Sequence, residues 1–229
     1  MQKDLSNYRK SYEKSELIET TIAQEPMLLF QQWFDEVEAS KSIEEPNAMT
    51  VSTIGLDGYP KNRVVLLKQV TAEGFIFYTN YKSEKAKAIA SNPFVCLSFF
   101  WPSLERQIII KGKVEKTSKE VSDAYFKSRP KGSQLGALVS QQSSVIESRN
   151  VLDEQLIKLT EKYTHNELER PDFWGGYIVK PISFEFWQGR PNRLHDRIRY
   201  SQTQELDWII ERLAPVSYTH LTLPTILLV

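Results

Sequence analysis

Hydrophobic and polar positions change their rhythm several times along the chain. Residues 26–41 place Met27, Leu28, Phe30, Trp33, Phe34 and Val37 close to a 3.6-residue period, which predicts a helix. From Ala48 the period falls to two. Residues 48–55 alternate as a strand, Asp57-Gly58 marks a hairpin turn, residues 61–68 form a second strand and residues 74–79 a third. Ser83 is placed to cap a short helix reaching Ala90. Residues 94–100 and 106–114 are two further strands. Ser118 opens the next helix, with Val121, Ala124 and Tyr125 facing in. Residues 130–145 mix a short apolar stretch with loop, and Pro130 suits a helix stop. An amphipathic helix over 147–163 runs through Val151, Leu152, Leu156 and Leu159. Late strands fall at 174–179, 183–187 and 198–200. The first twenty residues are polar and, on pattern alone, read as a frayed arm.

Consecutive strands joined by short turns imply antiparallel pairing, and the lack of alternating helices argues against a doubly wound sheet. The predicted fold is mainly β: a closed or nearly closed antiparallel barrel with flanking helices. The 229 residues suffice for one large domain or two small ones. Basic and acidic residues balance at 29 each, which argues against a general nucleic-acid or membrane-surface binder. Any anion site must then be a local concentration of charge. Cys96 is the only cysteine, so an intrachain disulfide and a cysteine zinc site are excluded; its apolar run, Phe94 to Phe100, predicts a small buried hydrophobe. With no apolar leader pattern and no 18-residue apolar run, the expected location is the cytosol.

The candidate chemistry concentrates in a few stretches. Residues 184–197 begin as a strand, break at Gly189 and Pro191, then place Arg193, His195 and Arg197 at alternate positions. On a strand all three share one face. That pattern suits either a solvated basic strand end or a bound anion. Arg63 and Lys68 bracket an apolar run and admit the same two readings. Tyr78-Thr79-Asn80 leads into the helix capped by Ser83, an arrangement that can cradle a phosphate, and Lys85 lies in its first turn. Gln107 inside an apolar strand needs partners for its amide, and Gln142, Ser143 and Ser144 add uncharged donors. Tyr125, Arg129 and Ser133 follow at a spacing of four, a second possible anion clamp. His165, isolated in a polar loop, reads as inert. There is no paired-carboxylate site, no Ser/His/Asp order, no HExxH and no phosphate-binding glycine loop. Two clusters of cations and hydroxyls without a nucleophile or metal set suit two phosphorylated ligands, one of them a redox cofactor.

Seven segments, taken together and in order, resemble the pyridoxamine 5′-phosphate oxidase family: Arg63–Lys68, Tyr78–Tyr81, Leu104–Ile108, Tyr125–Gln134, Gln142–Ser144, Phe173–Gly176 and Phe186–Gly189 followed by Arg193–Arg197. The resemblance spans about residue 8 to Pro215. It implies an FMN-binding split barrel acting as a homodimer, with flavin between the subunits. It implies oxidation of pyridoxamine or pyridoxine 5′-phosphate to pyridoxal 5′-phosphate, with O2 reduced to H2O2. By motif position, FMN would be bound by Arg63, the run Val64, Val65, Leu66, Leu67 and Lys68, and by Tyr78, Thr79, Lys85, Gln107, Gln142, Ser143, Trp187 and Arg197. Lys68, Tyr125, Arg129 and Ser133 would hold the substrate phosphate. Arg193, Leu194 and His195 would meet its ring, with Arg193 and His195 in catalytic roles. The resemblance also recasts the arm, residues 1–20, as a lid carrying Arg9, Lys10 and Tyr12. Residues 21–215 would form the oxidase domain. Glu84 departs from the family, which commonly has an arginine there. Residues 216–229 resemble the translation of a sequencing adaptor and are expected to be a non-native tail. A rival reading is a non-catalytic split barrel that carries or senses flavin or pyridoxal phosphate, but such a carrier would not need Arg193 and His195 together with Arg129 and Lys68.

Overall fold

The structure is a computed structural model that describes residues 3–5, 7–8, 10–164 and 166–215. The readings of Arg9, His165 and the 216–229 tail lie outside the described residues. The elements are α1 (Pro26–Ser40), β1 (Ala48–Ile54), β2 (Pro60–Leu66), β3 (Gln69–Thr71), β4 (Gly74–Asn80), α2 (Glu84–Ser91), β5 (Phe94–Trp101), β6 (Arg106–Lys116), α3 (Lys119–Ser128), α4 (Lys131–Val139), α5 (Asn150–Lys162), β7 (Trp174–Gln188), a 3-10 turn at Pro191–Arg193, β8 (Asp196–Gln202) and β9 (Trp208–Arg212).

Every described strand pair is antiparallel, as the short turns require. The strand path runs β2-β1-β5-β6-β7-β4-β3. Its two ends meet at the link between β2 and β3. There the Leu67 N–H donates to Asn47 O at 2.8 Å and the Lys68 N–H to Ile76 O at 2.9 Å, so the sheet curls into a barrel. Alternation on β5 and β6 sends Val95, Leu97, Phe99, Ile108 and Ile110 inward. α1 closes the barrel mouth. Its Phe30 ring lies 4.8 Å from Phe75 and 5.3 Å from Phe99, and its Trp33 lies 5.2 Å from Phe186. Full burial of each such ring contributes about 1.5–3 kcal/mol.

β7 is the longest strand, and it corrects the reading of two separate strands at 174–179 and 183–187. Its first half pairs with β4 and its second half with β8, while β6 runs along both. Lys180-Pro181 hides this continuity in the sequence. A bulge absorbs the interruption: Lys111 faces Ser183 and Gly112 faces Pro181, leaving one extra residue on β7. Gly112 is required there, because a Cβ would lie 2.5 Å from Lys180 O.

Three further expectations change. The 130–145 region contains a helix, α4, which packs Leu135 with Phe126, Leu168 and Trp174 in a second small core. The inner face of α3 is Ser122 and Phe126, not Val121 and Ala124, which are exposed. Cys96 is half-buried rather than buried, and burial raises its thiol pKa.

Candidate functional site

A cavity of about 500 Å³ opens between β2, β4 and the helices α2 to α4. Its inner wall is aromatic. Tyr78 on β4 stacks on Tyr125 of α3 at 3.8 Å and 18°, and Trp174 at the start of β7 lies parallel to Tyr78 at 5.6 Å. Burial raises the pKa of both tyrosines, so they remain neutral phenols. Over Trp174 sits the Arg129 guanidinium, 4.7 Å from the ring centroid. α3 ends at Ser128, as Pro130 predicts, so Arg129 is a capping residue with extended backbone and not part of the helix. It still reaches the same cavity as Tyr125, Ser133 and Lys68. Its Nη1 is buried without a hydrogen-bond partner, and burial lowers its pKa. An unsatisfied buried donor of this kind costs about 1–3 kcal/mol, more when charged, and an anion in the cavity would remove that cost.

The other end of the cavity is polar. Ser83 caps α2 by accepting from the Ala86 N–H at 3.3 Å. Lys85 folds back from the first turn and donates to Thr79 Oγ1 at 3.0 Å, and Thr79 donates to Gln142 Oε1 at 3.2 Å. Burial, then the nearby Arg63, lowers the Lys85 pKa. Arg63 stands at the rim and pairs with Glu84, which also binds Lys61 at 3.2 Å. Lys61 chiefly, with Arg63, holds the Glu84 carboxyl below the usual range. The Glu84 N–H donates to Ser143 Oγ at 3.3 Å. Thus Val64, Val65, Leu66, Lys68, Tyr78, Thr79, Lys85, Tyr125, Arg129, Ser133 and Gln142 line one cavity, and Arg63 and Ser143 border it. Leu67 is the exception, buried in the core and not lining this cavity. Lys68 follows β2 instead of belonging to it.

The remaining predicted residues form a second surface. Gln107, Trp187 and Arg197 are direct neighbours across β6, β7 and β8. Ile108, Phe186 and Ile198, one position on, are fully buried, so this row lies on the outer face of the barrel. The Gln107 amide is 3.5 Å from Ser98 Oγ. Arg197 donates to Glu185 Oε1 at 2.8 Å and to Ala214 O at 2.9 Å. Arg193 and His195 precede β8, which overturns the expectation of three cations on one strand face. Asn192 and Arg193 have φ of 56° and 61°, a left-handed pair that turns the chain before the strand begins. His195 Nδ1 accepts the Arg190 N–H at 3.1 Å, which makes its imidazole neutral with the proton on Nε2. Burial, then the positive charge of Arg193, lowers its pKa. Arg193 and Leu194 are exposed. His195 lies 4.7 Å from Trp187, and Tyr12 of the arm sits against both, at 5.7 Å from Trp187 and 5.6 Å from His195. Lys10 lies beside the Tyr12 ring at 5.6 Å.

The structure also supplies residues that sequence reasoning left without a role. Trp174 completes the stacked wall, and Gly136, Ala137 and Ser140 line the cavity. Trp174 lies in one of the matching segments, but only its position behind Tyr78 and Tyr125 shows what it does. Among the described residues no group of His, Cys, Asp or Glu is placed to hold a metal ion, and no helix is long and apolar enough to cross a membrane.

Comparison with known proteins agrees across the chain. Residues 36–161 match the family model described as pyridoxamine 5′-phosphate oxidase, and residues 174–215 match the pyridoxine 5′-phosphate oxidase C-terminal dimerisation region. A pyridoxine/pyridoxamine 5′-phosphate oxidase from Flavobacterium psychrophilum is 67% identical over 213 residues, covering 93% of this chain and 100% of the relative. One from Acaryochloris marina is 48% identical over 214 residues, covering 93% and 97%. Among solved structures, PhzG from Burkholderia lata 383 superposes with a TM-score of 0.80 at 26% identity, covering 86% of this chain and 95% of that one. An FMN-binding, pyridoxamine 5′-phosphate oxidase-related protein from Nostoc punctiforme shares the fold at a TM-score of 0.66 and 14% identity, covering 85% and 99%. With a split-barrel fold, a cation-lined cavity and matches over both halves of its length, this chain belongs to the pyridoxine/pyridoxamine 5′-phosphate oxidase family.

Proposed function

We propose that this chain is an FMN-dependent oxidase that converts pyridoxamine or pyridoxine 5′-phosphate to pyridoxal 5′-phosphate, with O2 reduced to H2O2. We further propose that it works as a homodimer, the cavity of one subunit facing the Tyr12–Trp187–His195 surface of the other. The observation that carries the reading is the buried, unpartnered Nη1 of Arg129 in a cavity that also holds Lys68, Tyr125 and Ser133. That donor set fits a phosphate monoester.

The residues present also fit a second phosphate, that of FMN. Lys85, Thr79, Gln142 and Ser143 surround the start of α2, where a phosphate gains from the helix N-terminus, and Arg63 stands beside them. FMN, when bound, supplies the hydride acceptor and passes the electrons to O2. The chain contributes position and charge. Lys68, Tyr125, Arg129 and Ser133 hold the substrate by its phosphate end and fix the reach of its ring. His195 offers an Nε2–H donor, while Arg193 offers a cation for oxygen-centred negative charge on the ring. Tyr12 lies against His195 and Trp187 and would exclude water there. Gln107, Trp187 and Arg197 form the flat outer row that would line the flavin.

The test is spectroscopic. The purified protein should be yellow, and pyridoxamine 5′-phosphate added without oxygen should bleach the flavin absorbance. A bound flavin that stays oxidised would overturn the oxidase in favour of a carrier. Sedimentation should report a dimer; an active monomer would refute the shared site.

A further inference from the structure

Glu105 is a buried carboxylate to which the proposed chemistry gives no role. It is 2% exposed, and its backbone is left-handed at φ 59°. Its carboxylate receives three donors, all from one short segment of the arm: Lys10 Nζ at 3.1 Å, the Glu13 N–H at 2.9 Å and the Lys14 N–H at 3.1 Å. Its own carbonyl, turned by that backbone, accepts the Gly189 N–H at 2.7 Å and the Gln188 side-chain amide at 3.3 Å. So the main chain of Glu105 is fastened to the end of β7 and its side chain to the arm. Between them lies Gly189. A Cβ on Gly189 would come within 2.8 Å of Tyr12 Cβ and Cγ, so the tyrosine is seated in the space that this glycine leaves open. Lys10 and Glu13 flank Tyr12 in sequence, and both are held by the same carboxylate.

The base of the arm is secured differently. Arg190 pairs with Glu16 at 2.9 Å, Asp196 accepts the Leu17 N–H at 3.1 Å, and Arg212 holds Glu19 and, at 2.7 Å, Leu17 O. These groups would keep residues 16–19 in place if Glu105 let go.

We propose that Glu105 is a positioning residue: it latches residues 10–14 to the barrel and thereby sets Tyr12 against Trp187 and His195. The latch stands on geometry alone; its effect on substrate rests on the oxidase reading. Both are tested in the full-length protein with FMN bound. Glu105→Ala removes all three acceptor contacts. Trypsin should then cut after Lys10 and Lys14 about tenfold faster, with cleavage elsewhere unchanged, because only the local opening becomes easier. Glu105→Gln keeps an acceptor for the two amides and loses the Lys10 pair, so its cleavage should fall between. Gly189→Ala displaces Tyr12 without touching any charge and should also expose Lys14. In Glu105→Ala the KM for pyridoxamine 5′-phosphate should rise about tenfold, while kcat and FMN retention change less than about twofold. Cleavage unchanged at these lysines, or faster throughout the chain, in both Glu105→Ala and Gly189→Ala overturns the latch. Local release in a protein whose wild type never bleaches its flavin upholds the latch and rejects the oxidase.

Discussion

Tyr78, Tyr125 and Trp174 meet as nearly parallel rings, each on a different regular element, and Arg129 lies over the stack. Arg193 and His195, in contrast, emerge from a turn containing two left-handed residues; Arg193 is exposed, and His195 lies against Tyr12 of an arm that ion pairs hold down. The first region is fixed by packing, the second by a few polar contacts on the surface. The difference teaches what each region is built for. Under the proposed function, groups that grip a phosphate need an invariant frame, whereas groups that cover a ring must let it in and out.

The frame can be broken most severely at its core. Phe30→Ala removes the ring that plugs the barrel and should destabilise the protein by about 3–5 kcal/mol in denaturant unfolding. Leu194→Ala, on the exposed turn, should stay within about 0.5 kcal/mol. Equal losses would erase the distinction between the regions. Next come the two arginines. Arg129→Met should raise the KM for substrate about a hundredfold, since it removes a desolvated donor from a phosphate. Arg193→Ala should lower turnover about tenfold or more while FMN stays bound. Parallel loss of turnover and FMN in Arg193→Ala would contradict its assignment.

A smaller effect is expected from pH. His195 is held neutral, with a pKa below the ordinary value of about 6.5. At higher pH both folded and unfolded chains are neutral there, and the group contributes no pH dependence. As pH falls below about 6.5 the unfolded chain takes up the proton first, so stability declines, and the decline ends below the lowered folded value. The acid limb of turnover assigned to His195 should likewise lie below pH 6.5. A limb above that value would show that His195 acts as a cation. The smallest effect concerns Glu84. Glu84→Gln frees Arg63 and Lys61 from a carboxylate and should tighten FMN binding to the apoprotein a fewfold, read by quenching of flavin fluorescence, and this gain should shrink at high salt. Weaker binding would mean that Glu84 orients Arg63 for the cofactor.

How much of this is legible in the sequence divides along the same line. Alternation at β1, β5 and β6 announces the barrel, because each of these strands has one buried and one more open face. Most of the cavity residues are legible because they sit in or beside regular elements with local cues: Ser83 before α2, Pro130 after α3. α4 is obscured, since Gly132, Ser133 and Gly136 dilute its helical pattern. Gly189 and Pro191 announce a break, but the alternate spacing of Arg193, His195 and Arg197 suggests that the strand resumes at once, which the backbone at Asn192-Arg193 does not do. Glu105 is beyond sequence reasoning altogether, for its partners lie 91 and 92 residues away.

The unbroken length of β7 has a consequence of scale. Trp174 lines the cavity and Trp187 belongs to the outer row, thirteen residue steps along one strand. At about 3.3 Å per residue that is roughly 40 Å of backbone, shortened only by the bulge and the curl of the sheet. The strand is a ruler that keeps the cavity and the outer row apart within one copy, and under the proposed function these are the two halves of the chemistry. Catalysis would then depend on protein concentration: dilution that parts two copies should extinguish turnover while leaving each barrel folded.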